Sequence, residues 1–135
     1  MTRSRPAVKP RGAGPLLVLL HRGAWADRYQ AATLAVTAAA MGEKVVVALF
    51  FEPLRLWADG RFDEGAPPEA AAARVAPLRE TLEEARRELG LEVVACDTAV
   101  RLAGLDPAAL GGAVDRVVTL PQLWAEGRRG RQIAI

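Results

Sequence analysis

The strongest strand signal in the chain is the run Lys44-Val45-Val46-Val47-Ala48-Leu49-Phe50-Phe51. β-Branched and aromatic residues favour extended backbone, and a continuous apolar run is typical of a strand that is buried on both faces of a sheet. Pro53 follows it and helps to end the strand, because proline has no N–H to donate to a sheet ladder. We therefore predict a central strand of a parallel sheet over residues 44–51.

Shorter apolar runs predict four further strands, and helix-forming segments separate them. The longest predicted helices cover residues 26–41, which are rich in alanine and end before Gly42, and residues 75–89, where apolar side chains recur at spacings of three and four. Glycines and prolines predict an exposed loop over residues 58–68. Strands that alternate with helices indicate an α/β fold. The further strands are predicted over residues 16–21, 91–96, 116–120 and 131–135.

The length of 135 residues fits a single domain. The predicted fold class is a single three-layer α/β domain with a mostly parallel five-stranded sheet and helices on both faces. We expect this domain over residues 15–135 and a flexible basic leader over residues 1–14. The leader contains Arg3, Arg5, Lys9 and Arg11, and no acidic residue precedes the first strand.

The composition and the length of the apolar runs indicate which cellular compartment and which classes of partner to expect. The apolar run at residues 15–20 is far shorter than the ~20 residues that a membrane span needs. Cys96 is the only cysteine, which excludes an intrachain disulfide and favours a reducing compartment, so we expect a cytoplasmic protein without a membrane partner. Outside the leader, the sequence shows no run of basic residues interleaved with aromatic ones, and this argues against a nucleic-acid partner.

Common cofactor and metal motifs are absent from the sequence. No GxxxxGK[ST] sequence occurs, and Gly12-Ala13-Gly14 precedes the first strand instead of following it. One histidine and one cysteine do not supply a usual zinc ligand set. Ser4 is the only serine and lies in the leader, which leaves no serine nucleophile to propose. We predict no cofactor and no metal.

Cys96 is the residue most suited to chemistry. It ends a predicted strand, and Asp97 or Thr98 is placed to cap the helix that follows. A thiol beside a helix amino terminus is favoured as thiolate, its reactive form. The structural alternative is that Cys96 fills space, since unpaired cysteine is among the residues most often buried.

Other polar residues are predicted at the same carboxyl edge of the sheet. His21 and Arg22 end the first strand, and His21 is a candidate proton partner for Cys96 or a packing residue. Cys96 and Arg101 have the spacing of a rhodanese loop, but residues 97–102 are predicted to be helical, which does not form the bowl of N–H groups that such a loop needs. Trp57 and Trp124 are predicted to serve packing or subunit contact.

The pattern of residues 16–135 resembles the DsrE/DsrF-like family, which includes the TusD and DsrE sulfur-relay proteins and the YchN-like proteins. The similarity lies in an aliphatic first strand, an alanine-rich helix, and Met41-Gly42-Glu43-Lys44 leading into a strand that ends Leu49-Phe50-Phe51. It continues in the run from Leu91 to Cys96 and in Asp97-Thr98-Ala99-Val100-Arg101-Leu102-Ala103-Gly104.

The resemblance implies a function in sulfur transfer. Cys96 would accept sulfane sulfur as a persulfide and pass it to a partner thiol, and the chain would assemble as a homo-oligomer, a trimer or hexamer, with donor and acceptor proteins as partners. His21, Arg22, Asp97 and Thr98 are the supporting candidates beside Cys96. Two alternatives stay open. One is a noncatalytic oligomeric binding or assembly protein with an inert cysteine, and the other is a redox sensor whose resolving thiol comes from another chain.

Overall fold

The computed structural model describes residues 14–135. The segment Pro107–Ala113 forms 3₁₀ turns with a kink at Gly111. The remaining helices and strands, in chain order, are β1 (Leu16–Leu20), α1 (Trp25–Ala40), β2 (Val45–Leu49), α2 (Phe51–Ala58), α3 (Pro68–Ala72), α4 (Leu78–Glu88), β3 (Glu92–Cys96), α5 (Asp97–Leu102), β4 (Arg116–Val118), α6 (Leu120–Gly127) and β5 (Arg131–Ala134).

The five strands form one sheet in the order β4-β3-β2-β1-β5, and all neighbouring pairs are parallel. The predicted α/β class and the central position of β2 are confirmed. β2 is shorter than predicted, because Phe50 leaves the ladder and Phe51 begins α2. β4 also ends early, at Val118, since Leu120 already belongs to α6.

Helices cover both faces of the sheet, as predicted. One face packs its buried side chains against α1, α2, α4 and α5. The other face presents residues such as Leu17, Val46 and Val94, and these cluster with Leu123 of α6. The molecule therefore has three layers, and the second face is covered by one eight-residue helix.

Alanines determine how α1 packs. Ala31, Ala35 and Ala39 are buried along one side of the helix. Side chains this small let the helix backbone approach β1, β2 and α4 closely, while alanine keeps a high helix propensity. The predicted helix over residues 26–41 is confirmed to within one residue at each end.

The segment between α2 and α3 is only partly the exposed loop that the sequence predicts. Phe62 is buried in the core, and its ring packs edge-on against Trp57 with 5.1 Å between the ring centroids. Arg28 of α1 is also buried and donates hydrogen bonds to the backbone carbonyls of Gly23, Phe62 and Glu64. A buried cation thus holds this segment to the helix on which it packs.

Helix α4 begins three residues later than predicted. The carboxylate of Asp63 accepts hydrogen bonds from the backbone N–H groups of Leu78 and Arg79, which are the first two residues of the helix. Pro77, the residue before them, has no side-chain acceptor for these N–H groups. The helix start is therefore fixed by a side chain from the preceding loop.

Within residues 14–135, no helix is long and apolar enough to cross a membrane. The predicted leader lies outside the described residues, except for Gly14. The Gly14 N–H donates a hydrogen bond of 3.4 Å to the carbonyl of Arg129, so the chain enters the described part beside the start of β5.

Candidate functional site

The carboxyl ends of all five strands lie at one edge of the sheet, because every strand pair is parallel. Ligands of open α/β folds bind at this edge, which we call the carboxyl edge. The residues at or directly after the strand ends are His21, Phe50, Cys96, Thr119 and Ile135.

Cys96 lies where the connections that follow two neighbouring strands leave toward opposite faces of the sheet. The chain leaves β3 through α5, whose Ala99 and Val100 pack on the first face of the sheet. It leaves the neighbouring strand β4 through α6, which packs on the second face. Two adjacent strands whose connections go to opposite faces form a crevice, the topological switch point of such sheets. Cys96 pairs with Val118 at this crevice.

The thiol is at the predicted edge but is covered. Cys96 is only 5% exposed and belongs to the cluster of buried side chains that also includes Leu54, Ala99 and Val100. Its backbone forms the N-cap of α5 in extended conformation. The crevice therefore holds a cysteine that a reagent in solution meets only after a local movement.

Asp97 and Thr98 do not cap α5, so that prediction is wrong. Asp97 is already the first residue of the helix, and its carboxylate lies 3.0 Å from the guanidinium of Arg101, one turn further on. The Thr98 hydroxyl accepts a hydrogen bond of 3.4 Å from the same guanidinium. The predicted helix over residues 97–102 is confirmed, and it excludes a rhodanese-type loop of converging N–H groups at Cys96.

The structure does not bring His21 to Cys96. β2 lies between β1 and β3, which separates the two strand ends by about 10 Å. Among residues 14–135, no hydrogen bond joins the two side chains. His21 and Arg22 are exposed, and their backbone N–H groups donate to the carbonyl of Ile135 at 2.8 and 3.3 Å.

A groove of about 310 Å³ runs between α2 and α5 at the carboxyl edge. Arg55 of α2 crosses it and donates a hydrogen bond to the carbonyl of Ala103 at the end of α5. Phe51, at the start of α2, is half exposed and has a φ of 47°, a left-handed conformation that costs an aromatic residue energy. The lining residues are Phe51, Glu52, Arg55, Ala99, Leu102 and Ala103.

Glu52 is exposed at the start of α2, and its carboxyl group lies against Gly23 in the turn after β1. A Cβ at Gly23 would require this flexible side chain to move. A glycine after a strand predicts a turn, but it does not reveal this partner.

Thr119 carries a helix-start signal that the predicted elements do not include. The Thr119 hydroxyl accepts a hydrogen bond from the Gln122 N–H at 3.3 Å, and the side-chain carbonyl oxygen of Gln122 accepts one from the Thr119 N–H at 2.7 Å. This reciprocal pair is a capping box, which the spacing Thr-x-x-Gln predicts. It fixes the start of α6 two residues beyond Val118, the strand partner of Cys96.

The part of the chain that the structure describes holds no cluster of three or more histidine, cysteine, aspartate or glutamate side chains that could bind a metal ion. The chemical groups at the crevice are therefore the thiol and the backbone and side chains of α2, α5 and α6.

Comparison with known proteins gives a fold but no family. No family model matches the chain, and no curated protein matches it. A solved structure described as a protein of unknown function, MTH1491 from Methanobacterium thermoautotrophicum, is similar with a TM-score of 0.64 and 13% sequence identity. The similarity covers 90% of this chain and 99% of the other. At this identity the likeness establishes the α/β fold alone.

Proposed function

We propose that this protein is a sulfur carrier of the DsrE/DsrF-like kind, in which Cys96 accepts sulfane sulfur as a persulfide and passes it to a partner thiol. The observation that carries the proposal is the position of Cys96 at the switch point between β3 and β4. The pattern of residues 91–104, a strand that ends in cysteine before a short helix closed by glycine, is what makes persulfide chemistry the choice for this thiol.

The chemistry needs no cofactor. The Cys96 thiolate attacks the outer sulfur of a donor persulfide, forms a new S–S bond, and releases the donor as a thiolate when the donor S–S bond breaks. In the second step, an acceptor thiolate attacks the outer sulfur on Cys96, and the Cys96 thiolate leaves. Each step exchanges one S–S bond for another, so no external oxidant or reductant is required.

Because Cys96 is buried, the proposal includes a route by which a sulfur donor reaches its thiol. The groove between α2 and α5 is the proposed approach, because Ala99, three residues after Cys96, lies in its lining and belongs to the same buried cluster as the thiol. Helix α5 has six residues, and Leu102 near its end is 72% exposed. A short displacement of α5 from α2 would open the groove toward the thiol.

The proposal includes protein partners and self-association into a trimer or hexamer. Three large apolar side chains are at least half exposed: Phe51 and Leu102 line the groove between α2 and α5, and Leu120 begins α6 after β4. Apolar side chains gathered at one edge of a sheet are suited to contact another protein. Native mass measurement tests the assembly, and a monomer at micromolar concentration would contradict it.

Intact mass measurement tests the sulfur transfer. The protein is incubated with a small-molecule persulfide donor, and the wild type is expected to gain one sulfur atom that a reducing thiol removes. Cys96→Ser is the matched control and should gain none. No gain on the wild type, or the same gain on Cys96→Ser, would refute the proposal.

The burial of Cys96 favours a second candidate, a noncatalytic binding or assembly protein whose cysteine is inert. With a thiol that is 5% exposed, this candidate predicts slow reaction with a disulfide reagent in native protein and fast reaction in denaturant. The sulfur carrier predicts that the native thiol reacts readily with a small persulfide. Comparing the two rates on the same preparation separates the candidates.

A further inference from the structure

The amino-terminal edge of the sheet, opposite Cys96, carries a cluster of cations around a cavity. The cavity has a volume of about 430 Å³ and is lined by Gly14, Ala125, Glu126, Arg128 and Arg129. Backbone hydrogen bonds place the neighbouring strand starts together, since the Leu16 N–H donates to the Lys44 carbonyl at 2.8 Å and the Gly14 N–H donates to the Arg129 carbonyl. Lys44, Arg128 and Arg129 are all exposed.

Three carboxylates at this edge, those of Glu43, Glu92 and Glu126, are already paired. Glu43 forms an ion pair with Arg131, and Arg116 binds Glu92 at 3.1 Å and Glu126 at 2.9 Å. The hydrogen bond from Arg116 lowers the pKa of Glu126, so this carboxylate stays charged and engaged. Lys44, Arg128 and Arg129 form no ion pair within residues 14–135. The cavity thus offers free guanidinium groups and no free carboxylate.

From this arrangement we infer that the amino-terminal edge binds a single-stranded nucleic acid through its phosphates. Arginine guanidinium groups bind phosphate oxygens in a bidentate manner, and exposed aromatic rings stack on unpaired bases. Trp124 of α6 is 61% exposed and lies four residues, about one helical turn, before Arg128, the C-cap residue of that helix. The pair supplies both kinds of contact.

A membrane surface fits these residues less well. Interfacial helices insert several large apolar side chains into the bilayer. The cavity lining contains no large apolar side chain, since Ala125 is its only residue with an apolar side chain. The geometry therefore favours a phosphate chain that enters a polar cavity.

This proposal departs from the expectation drawn from sequence, because Lys44 is far along the chain from Arg128 and only the fold brings the cations together. It is independent of the proposed role of Cys96, which lies at the opposite edge.

Fluorescence anisotropy of the full chain with a labelled oligo-uridylate of about 15 nucleotides tests the inference. Binding is expected at ~50 mM salt and should weaken steeply by ~200 mM, as phosphate contacts require. The double variant Arg128→Gln with Arg129→Gln should bind roughly 10-fold more weakly and reduce the salt slope by about 1.4, which corresponds to two phosphate contacts.

The matched control is Arg22→Gln with Arg101→Gln, which removes the same charge at the carboxyl edge. It should bind within about twofold of wild type at the same salt. Equal weakening in both double variants, or no binding by the wild type, would overturn the inference. So would binding that survives in the Arg128 and Arg129 variant and disappears only when the four leader cations become glutamine. Preferential binding to phosphatidylserine vesicles would overturn it in favour of a membrane.

Discussion

The carboxylate of Asp63 accepts a hydrogen bond from the backbone N–H of Leu78, 15 residues later in the chain. A second oxygen of the same carboxylate accepts from Arg79 at 3.2 Å. Asp63 thus supplies the cap that Pro77, the residue directly before α4, does not provide. The loop that contains Phe62 and the helix that it caps are therefore stabilised together.

Asp63→Ala is expected to lower the free energy of unfolding by ~1–2 kcal/mol, because two N–H groups of α4 lose their acceptor. Urea denaturation followed by circular dichroism measures this loss. Asp63→Asn keeps one acceptor oxygen and should recover part of the stability. If the alanine variant is as stable as wild type, the cap contributes nothing.

Arg28→Lys is expected to destabilise the protein by about 2–4 kcal/mol, although it keeps the charge. A guanidinium can donate to the separate carbonyls of Gly23, Phe62 and Glu64 at once, whereas a single ammonium on a flexible stem reaches fewer of them. Thermal unfolding checks the change. Arg61→Lys, at an exposed ion pair with Glu64, is the control and should shift the midpoint little.

Acid should weaken the contact between β4 and α6. The hydrogen bond from Arg116 lowers the pKa of Glu126 below its ordinary value of 4.5 in the folded protein, so the unfolded chain takes up the proton first. The stability that this pair contributes is present above pH 4.5 and is lost as the pH falls through the lower, folded value.

The difference in the free energy of unfolding between wild type and Glu126→Gln is therefore expected to be largest at neutral pH and to shrink below pH 4.5. Urea denaturation at a series of pH values measures it. Gln30→Ala, at an exposed position in α1, changes no ionisable group and serves as the control, so its stability difference from wild type should not change with pH. A Glu126→Gln difference that stays constant through the acid range would contradict the assigned pKa shift.

Two leucines, Leu54 of α2 and Leu102 of α5, should lose very different amounts of stability on truncation. Leu54 is fully buried, and Leu54→Ala is expected to cost ~2–5 kcal/mol because it leaves a cavity in the core. Leu102 is largely exposed, and Leu102→Ala should change stability by less than about 0.5 kcal/mol. Denaturant unfolding of both variants measures the difference, and a large loss for Leu102→Ala would show that α5 is packed more tightly than the structure indicates.

The sequence predicts the order of strands and the two longest helices well, because most strands are local apolar runs, residues 26–41 are rich in alanine, and residues 75–89 have a helical apolar periodicity. The predicted end of β2 is too late, since Phe50 and Phe51 favour strands by composition but turn into α2 in the fold. Local propensity does not reveal where the tertiary structure takes a chain out of the sheet.

Contacts between distant segments are beyond the reach of the sequence. Arg28 and Phe62 lie 34 residues apart, and nothing in either neighbourhood signals that a buried cation meets a loop carbonyl. For the candidate site, the sequence places Cys96 at a strand end, but its burial depends on α2 and α5, which pack there from other parts of the chain. The capping box at Thr119 is readable from local spacing alone.

The strand order has a consequence for how the chain folds. β1 is the first strand along the chain, yet one of the two strands that pair with it is β5, the last. The helix that covers Leu17 and Val46 is α6, which also comes late in the chain. Until residues 120–134 have been synthesised and docked, β1 presents an unpaired edge, and one whole side of the sheet stays apolar and open to water. Such an intermediate is prone to aggregate through that edge. Slow docking of the last strand, or a truncation that removes it, would therefore show itself first as loss of soluble protein.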